Sequence, residues 1–269
     1  MKKLLVASIA LAAVIGARAG FAADMPLKAP PPVVVANWTG CYLGLSGGTN
    51  AGRNEGFNTV PGSTQGTGGS PTPGGYVGAV TDRINLSGGI VGAFAGCNYQ
   101  VGGWVFGVEG DGSATNKEGQ AFPNAAALAA GFNGQRTWET QERWLATARA
   151  RLGYAWTNNM LLYVTGGAAW AKIDSSANAL NNVLAFHATQ SDIRSGWTVG
   201  GGAEYMMGYG WTIRSEFLYV QFANYTTFNT TPPASAMLTP MTTGKIQDYI
   251  FRFGMSYKFG WTPAVVAKY

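Results

Sequence analysis

From residue 38 onward the chain alternates apolar and polar residues with a period of two. Within 141–155, Trp144, Ala146, Ala148, Ala150, Leu152 and Tyr154 share one parity; Arg143, Thr147, Arg149 and Arg151 share the other, with Leu145 as the exception. In 192–206, Ile193, Trp197, Val199, Ala203 and Tyr205 oppose Arg194, Thr198 and Glu204. In 211–222, Trp211, Ile213, Phe217 and Tyr219 oppose Thr212, Arg214 and Glu216. In 247–259, Tyr249, Phe251, Phe253, Met255, Tyr257 and Phe259 oppose Asp248, Arg252, Ser256 and Lys258. A period of two puts successive side chains on opposite faces of a sheet, so each run predicts a strand with one apolar and one polar face. Weaker, glycine-rich runs at 38–52, 84–100, 104–115 and 160–173 bring the expected strands to eight.

The connections between these strands alternate in length. Short ones fall at 101–103, 156–159 and 207–210; long ones at 53–83, 116–140, 174–191 and 223–246. An even number of antiparallel strands with alternating short turns and long loops is the pattern of an up-and-down transmembrane β-barrel, with short periplasmic turns, long outer loops and both ends in the periplasm. The fold class predicted is therefore all-β, an eight-stranded antiparallel barrel spanning 38–259. The segment 124–130 is alanine-rich and suggests a short helical turn.

Alternation alone does not say which face points outward, because a soluble ligand-binding barrel turns its apolar face in. Three features favour lipid outside. The strands are as long as or longer than the 9–11 residues a tilted crossing needs. Only 12% of residues are charged, against roughly 25% in soluble domains. Trp38, Trp104, Trp144, Trp156, Trp170, Trp197, Trp211, Tyr257 and Phe259 lie near strand ends, as in the aromatic girdles at the two membrane interfaces.

The N-terminus supports export. Lys2 and Lys3 precede an apolar run, 4–16, that is too short to span a bilayer as a helix, and small residues follow to Ala23. That order predicts a signal peptide at 1–22, cleaved near Ala22 or Ala23; the alternative is an uncleaved anchor. A Pro-rich periplasmic linker, 23–37, is expected next. Loss of Lys2, Lys3 and Arg18 with the signal lowers the net charge from +5 to +2. With no basic cluster either, nucleic acid is not an expected partner.

Few residues suggest chemistry. Cys41 and Cys97 stand near the start of the first strand and the end of the second, where an antiparallel hairpin brings them together. Directly opposed residues approach disulfide geometry, and an exported setting favours oxidation, so a bond is the hypothesis. The alternative is two reduced cysteines acting as small hydrophobes. On the polar face Glu109 and Asp111 lie beside Arg149 and Arg151, and Arg214 and Glu216 beside Arg252, with Glu204 nearby. Turned inward, these eight would pair in a lumen just wide enough for side chains to fill, giving a plugged core; a narrow gated ion path is the other reading. Arginines keep neighbouring carboxylates ionised, which argues against acid–base work by Glu109 and Asp111. His187, the one histidine, is expected in an outer loop without a motif around it. No catalytic set, metal site or cofactor is expected.

Several stretches resemble one family. They are Ala22-Ala-Asp-Met-Pro-Leu-Lys-Ala-Pro, Trp38-Thr-Gly-Cys-Tyr-Leu-Gly, Tyr163-Val-Thr-Gly-Gly-Ala-Ala-Trp170, Gly254-Met-Ser-Tyr-Lys-Phe259 and Val265-Val-Ala-Lys-Tyr269. In that order they resemble the outer-membrane immunogenic-protein, or surface-antigen, barrels of alphaproteobacteria, across nearly the whole mature chain. The resemblance implies an eight-stranded barrel in the outer membrane, with surface-exposed loops, inserted by the barrel-assembly machinery. It also implies an aromatic-x-aromatic insertion signal, matched by Tyr257 and Phe259. The tail 260–269 runs past the usual terminal aromatic and leaves open whether Phe259 or Tyr269 is the recognised end. The family brings no agreed enzymatic activity. The function expected is a structural and surface-interaction role. Its partners would be outer-membrane lipid or lipopolysaccharide, and a host or environmental ligand at the loops. The alternatives are a small porin-like channel and, less favoured, a membrane-embedded enzyme.

Overall fold

The computed structural model describes residues 37–54, 57–60, 78–79, 84–122, 125, 137–180, 185–223, 225–227 and 241–259. Among these, eight long strands form a closed antiparallel barrel. They are β1 (Gly40–Asn54), β2 (Ile84–Val101), β3 (Trp104–Ala121), β4 (Thr137–Thr157), β5 (Met160–Leu180), β6 (Ala185–Gly208), β7 (Trp211–Phe222) and β8 (Ile246–Phe259). Each strand pairs with its neighbours in sequence, and β8 pairs back onto β1, with Cys41 opposite Phe259 and Asn54 opposite Ile246. Closure leaves no sheet edge, so every strand finds its backbone partners inside the sheet. Phe57–Val60, Gly78–Ala79, Tyr225–Thr227 and Met241–Gly244 form a second, four-stranded sheet within stretches expected to be loops.

The face question resolves clearly. Leu45 is 70% exposed, Val108 63% and Phe253 60%, whereas Arg252 and Glu216, which face the barrel interior, are 1% exposed. The apolar parity points out and the charged parity points in. The short connections of residues 102–103, 158–159 and 209–210 are two-residue hairpins. Two of them use left-handed backbone, as tight hairpins require: Gly102 at φ 59°, and Tyr209 and Gly210 at 52° and 84°.

The strands are longer than the alternation indicated, and most on one side. β4 and β5 have 21 residues and β6 has 24, against 12 in β7 and 14 in β8. Beyond the apolar band both faces carry polar residues, such as Gln141, Lys172, Asp174 and Ser191, so no hydrophobic period marks the continuation. His187, expected in a loop, therefore lies in β6, opposite Asn178 of β5.

Three further expectations are corrected. Trp38 is not in a girdle; it is buried in the lumen at the short-turn end, against Val105 and Leu161. Leu145 is no exception, since a band of apolar residues, including Ile90, Leu145, Ala169, Leu218 and Ile250, also fills the interior. Arg143 leaves the lumen. The β4–β5 register skips it, pairing Glu142 with Ile173 and Trp144 with Lys172, and its side chain is 59% exposed. An extra residue in one strand flips parity on one side of the bulge. The expected signal peptide, linker and tail lie outside the described residues, as does the helical turn apart from Ala125.

Candidate functional site

Read from the short turns toward the long loops, the inward residues of β7 run Thr212, Arg214, Glu216, Leu218, Val220, Phe222. Those of β3 run Val105, Glu109, Asp111, Ser113, Lys117, Ala121. The lumen is thus layered. It has an apolar floor, a charged layer, an apolar band, and further charge near the loops.

The charged layer gathers the eight residues singled out from the sequence. Register brings Glu109 opposite Arg149, Glu204 opposite Arg214, and Glu216 opposite Arg252. Contacts across the lumen then join the strand pairs. Glu109 is the hub: its Oε2 accepts from Arg214 Nη1 at 2.6 Å and from the Tyr42 hydroxyl at 2.7 Å, and it also pairs with Arg149 and Arg151. Glu216 accepts from Arg149 and Tyr163 at 2.9 Å each and from Arg252 Nε at 2.7 Å. Asp111 takes Arg252 at 2.9 Å, Arg149 at 3.0 Å, and the Thr147 hydroxyl. Arg151 holds Glu204 and lies 4.0 Å over the Tyr163 ring; Arg214 lies 3.4 Å over Phe94. Four carboxylates meet four guanidiniums, and each guanidinium touches at least two acids or an acid and a ring. Phe94 has room because Gly44 faces it; a Cβ at Gly44 would sit 2.4 Å from the Phe94 ring.

A second cluster was not singled out from the sequence. Lys117 Nζ lies 2.7 Å from Glu142 Oε2 and 2.6 Å from Asp248 Oδ1, all three fully buried, and Asn50 donates to Glu142 at 2.9 Å. Gly52 opens the space: a Cβ there would lie 2.5 Å from Asp248 Oδ1. Lys117 fell in an expected loop. Glu142 shares the parity of the apolar face and turns inward only because of the bulge at Arg143. Tyr42, Tyr163 and Phe94 were also missed, because an aromatic residue on a strand gives no hint of cross-lumen contact.

Cys41 and Cys97 are directly paired across β1 and β2 and joined by a disulfide, on the outward face near the short turns. Tyr257 and Phe259 also face outward, their rings 5.2 Å apart at the end of β8. At the short-turn end Trp38 N donates to Gln100 at 2.7 Å and Lys258 reaches the Asn37 carbonyl. His187 is far along β6 from the charged layer, to which this strand contributes Glu204. Among the described residues no group of His, Cys, Asp and Glu has the makings of a metal site.

A closed barrel, apolar outside between bands of Trp and Tyr and charged within, is a transmembrane β-barrel. Residues 9–259 match the outer membrane protein beta-barrel domain, and the chain belongs to that family. It is 32% identical to the 31 kDa outer-membrane immunogenic protein of Brucella melitensis biotype 1, over 96% of this chain and 100% of that one. It is 31% identical to the 25 kDa outer-membrane immunogenic protein of the same organism, over 96% and 99%. In three dimensions it is similar to the outer membrane protein OprG from Pseudomonas aeruginosa, with 10% identity, 84% and 99% coverage and a TM-score of 0.48. The chain is an outer-membrane surface barrel, with its short turns toward the periplasm and its long loops outside.

Proposed function

We propose that this barrel is a filled anchor that presents its outer loops to the environment, rather than a pore or an enzyme. The observation that carries this reading is the charged layer. Eight ionised side chains, each 8% exposed or less, cross the lumen and pair with one another. A group held by two or three opposite charges is not poised to exchange protons, which speaks against acid–base catalysis. An apolar band on one side and buried Trp38 on the other add further barriers to water and ions.

The relatives are named for immunogenicity, which fits loops displayed at the cell surface. Their ligand would be a host or environmental molecule. Tyr257 and Phe259 serve as the signal read by the barrel-assembly machinery. Planar-bilayer recording of the purified protein tests the filled lumen. No sustained conductance is expected. Steady conductance that changes selectivity when Glu109 or Arg252 is neutralised would establish the porin-like alternative instead.

A further inference from the structure

The loop-end cluster of Lys117, Glu142 and Asp248 does not balance its charge. One ammonium meets two carboxylates, and all three side chains are 1% exposed or less. Among the described residues, the other inward charges near it are already paired. On β6, Arg194 and Asp192 hold each other at 2.7 Å; on β8, Arg252 is held by Asp111 and Glu216. Register sets an apolar residue beside each member: Ile173 opposite Glu142, Val220 opposite Asp248, and Ile250 opposite Asn50. Two buried acceptors in the cluster also lack a donor among the described residues. Asn50 gives its Nδ2 to Glu142, yet its Oδ1 accepts nothing, and neither does Asp248 Oδ2. Buried acceptors are normally satisfied, and an uncompensated buried charge is normally neutralised by a change of protonation. One proton answers both needs: it brings the cluster to zero charge and supplies a donor.

We propose that this cluster is a proton-binding latch, in which Glu142 and Asp248 hold one proton between them and its release loosens the outer mouth of the barrel. Two adjacent carboxyl groups that cannot both ionise share a proton and titrate as a pair. Glu142 lies past the outward Trp144, beyond the apolar band. Burial, offset only in part by Lys117, and the neighbouring Asp248 lift its carboxyl to about 8. The charged layer is different, because there four guanidiniums match four acids and no proton is needed. Asn50, Lys117, Glu142 and Asp248 stand on β1, β3, β4 and β8, so the cluster straps four strands across the lumen at their loop ends. Without the proton, two carboxylates compete for one lysine and the strap slackens. The apolar band and the charged layer below stay closed, so bilayer recording and the experiment below can fail independently.

Urea unfolding of the full-length protein in lipid vesicles, followed by tryptophan fluorescence across a pH series, tests the latch. Both carboxyls are ionised in the unfolded chain above about pH 5, so folding takes up a proton. That stability is present at low pH and is lost as pH rises through about 8. The folding constant should fall by about tenfold per pH unit below that value and level off above it, the signature of one proton. Glu142→Gln should abolish the slope and, on the alkaline side, withstand more urea than the unmodified protein. Hydrogen exchange at the loop ends of β1 and β8, corrected for its intrinsic pH dependence, should rise on the alkaline side in the unmodified protein and not in this variant. His187→Gln, which removes the one histidine, should keep the slope. A slope that survives Glu142→Gln, or vanishes in His187→Gln, would overturn the proposal. So would stability that follows sodium concentration instead of pH, because an alkali cation would then neutralise the cluster. The infrared carbonyl band of a protonated carboxyl group needs no variant: its absence from the folded protein at neutral pH would also sink the latch.

Discussion

In the charged layer four carboxylates balance four guanidiniums, whereas nearer the loops a single ammonium stands against two carboxylates. Both clusters are buried in the same lumen, yet they are built differently. Arginine's fork lets one residue bridge several acids, so Arg149 touches Glu109, Asp111 and Glu216 together. Each acid in that layer, Glu204 included, has at least two arginines within 4 Å. Removing one member leaves the rest with partners. Lys117 is a point charge with no substitute nearby, and both Glu142 and Asp248 depend on it. The same buried charge is therefore redundant in one place and irreplaceable in the other.

The largest effect is expected from removing that one lysine. Lys117→Met leaves Glu142 and Asp248 adjacent, fully buried and without a cation. An uncompensated buried charge costs about 3–5 kcal/mol. Equilibrium urea unfolding in lipid vesicles, followed by tryptophan fluorescence, measures the loss. Neutralising the acids as well, by Glu142→Gln and Asp248→Asn, should recover most of it. If Lys117→Met unfolds like the unmodified protein, the cluster is hydrated and the contrast with the charged layer collapses.

A smaller effect is expected in the layer itself. Glu216→Gln keeps the shape and an acceptor for Tyr163 but removes one negative charge. Arg149 still holds Glu109 and Asp111, and Arg252 still holds Asp111. The weakened charge-assisted hydrogen bonds should cost about 1–3 kcal/mol by the same assay. A loss as large as that of Lys117→Met would show that the network is not redundant and that Glu216 is as critical as the lone lysine.

The two clusters also differ in how far they could be read from the sequence. The barrel and the charged layer sit where alternation is strong. Glu109, Asp111, Arg149, Arg151, Arg214, Glu216 and Arg252 all keep the inward parity of strands whose other face is apolar, and the lipid outside enforces that contrast. Lys117, Glu142 and the extensions of β4 to β6 sit beyond the apolar band, where both faces are polar and alternation carries no information. Glu142 was hidden for a second reason: the bulge between Glu142 and Trp144 swaps its parity with that of Arg143. A bulge is a one-residue change in backbone pairing, and nothing in Glu-Arg-Trp signals it. Trp38 was misplaced because its position near a strand start suits an interfacial aromatic as well as a lumen floor.

The smallest expected effect tests that swap directly. Sequence parity puts Arg143 in the lumen with Arg149 and Arg151, where loss of a buried partner would cost as much as at Lys117. The bulge puts it outside, 59% exposed, in a single pair with a partly exposed Asp174. An exposed ion pair contributes about 0–1 kcal/mol, because water screens it and two long side chains must be ordered to make it. Arg143→Gln should therefore shift the unfolding curve by less than about 1 kcal/mol. Glu142→Ala, one residue away, strips a buried acceptor from both Lys117 and Asn50 and leaves a cavity, and should shift it measurably more. The ordering of these two adjacent variants reports the backbone register. If Arg143→Gln proved the more damaging, β4 would run without its bulge, Arg143 would face the lumen, and Lys117 would have to find its carboxylates elsewhere.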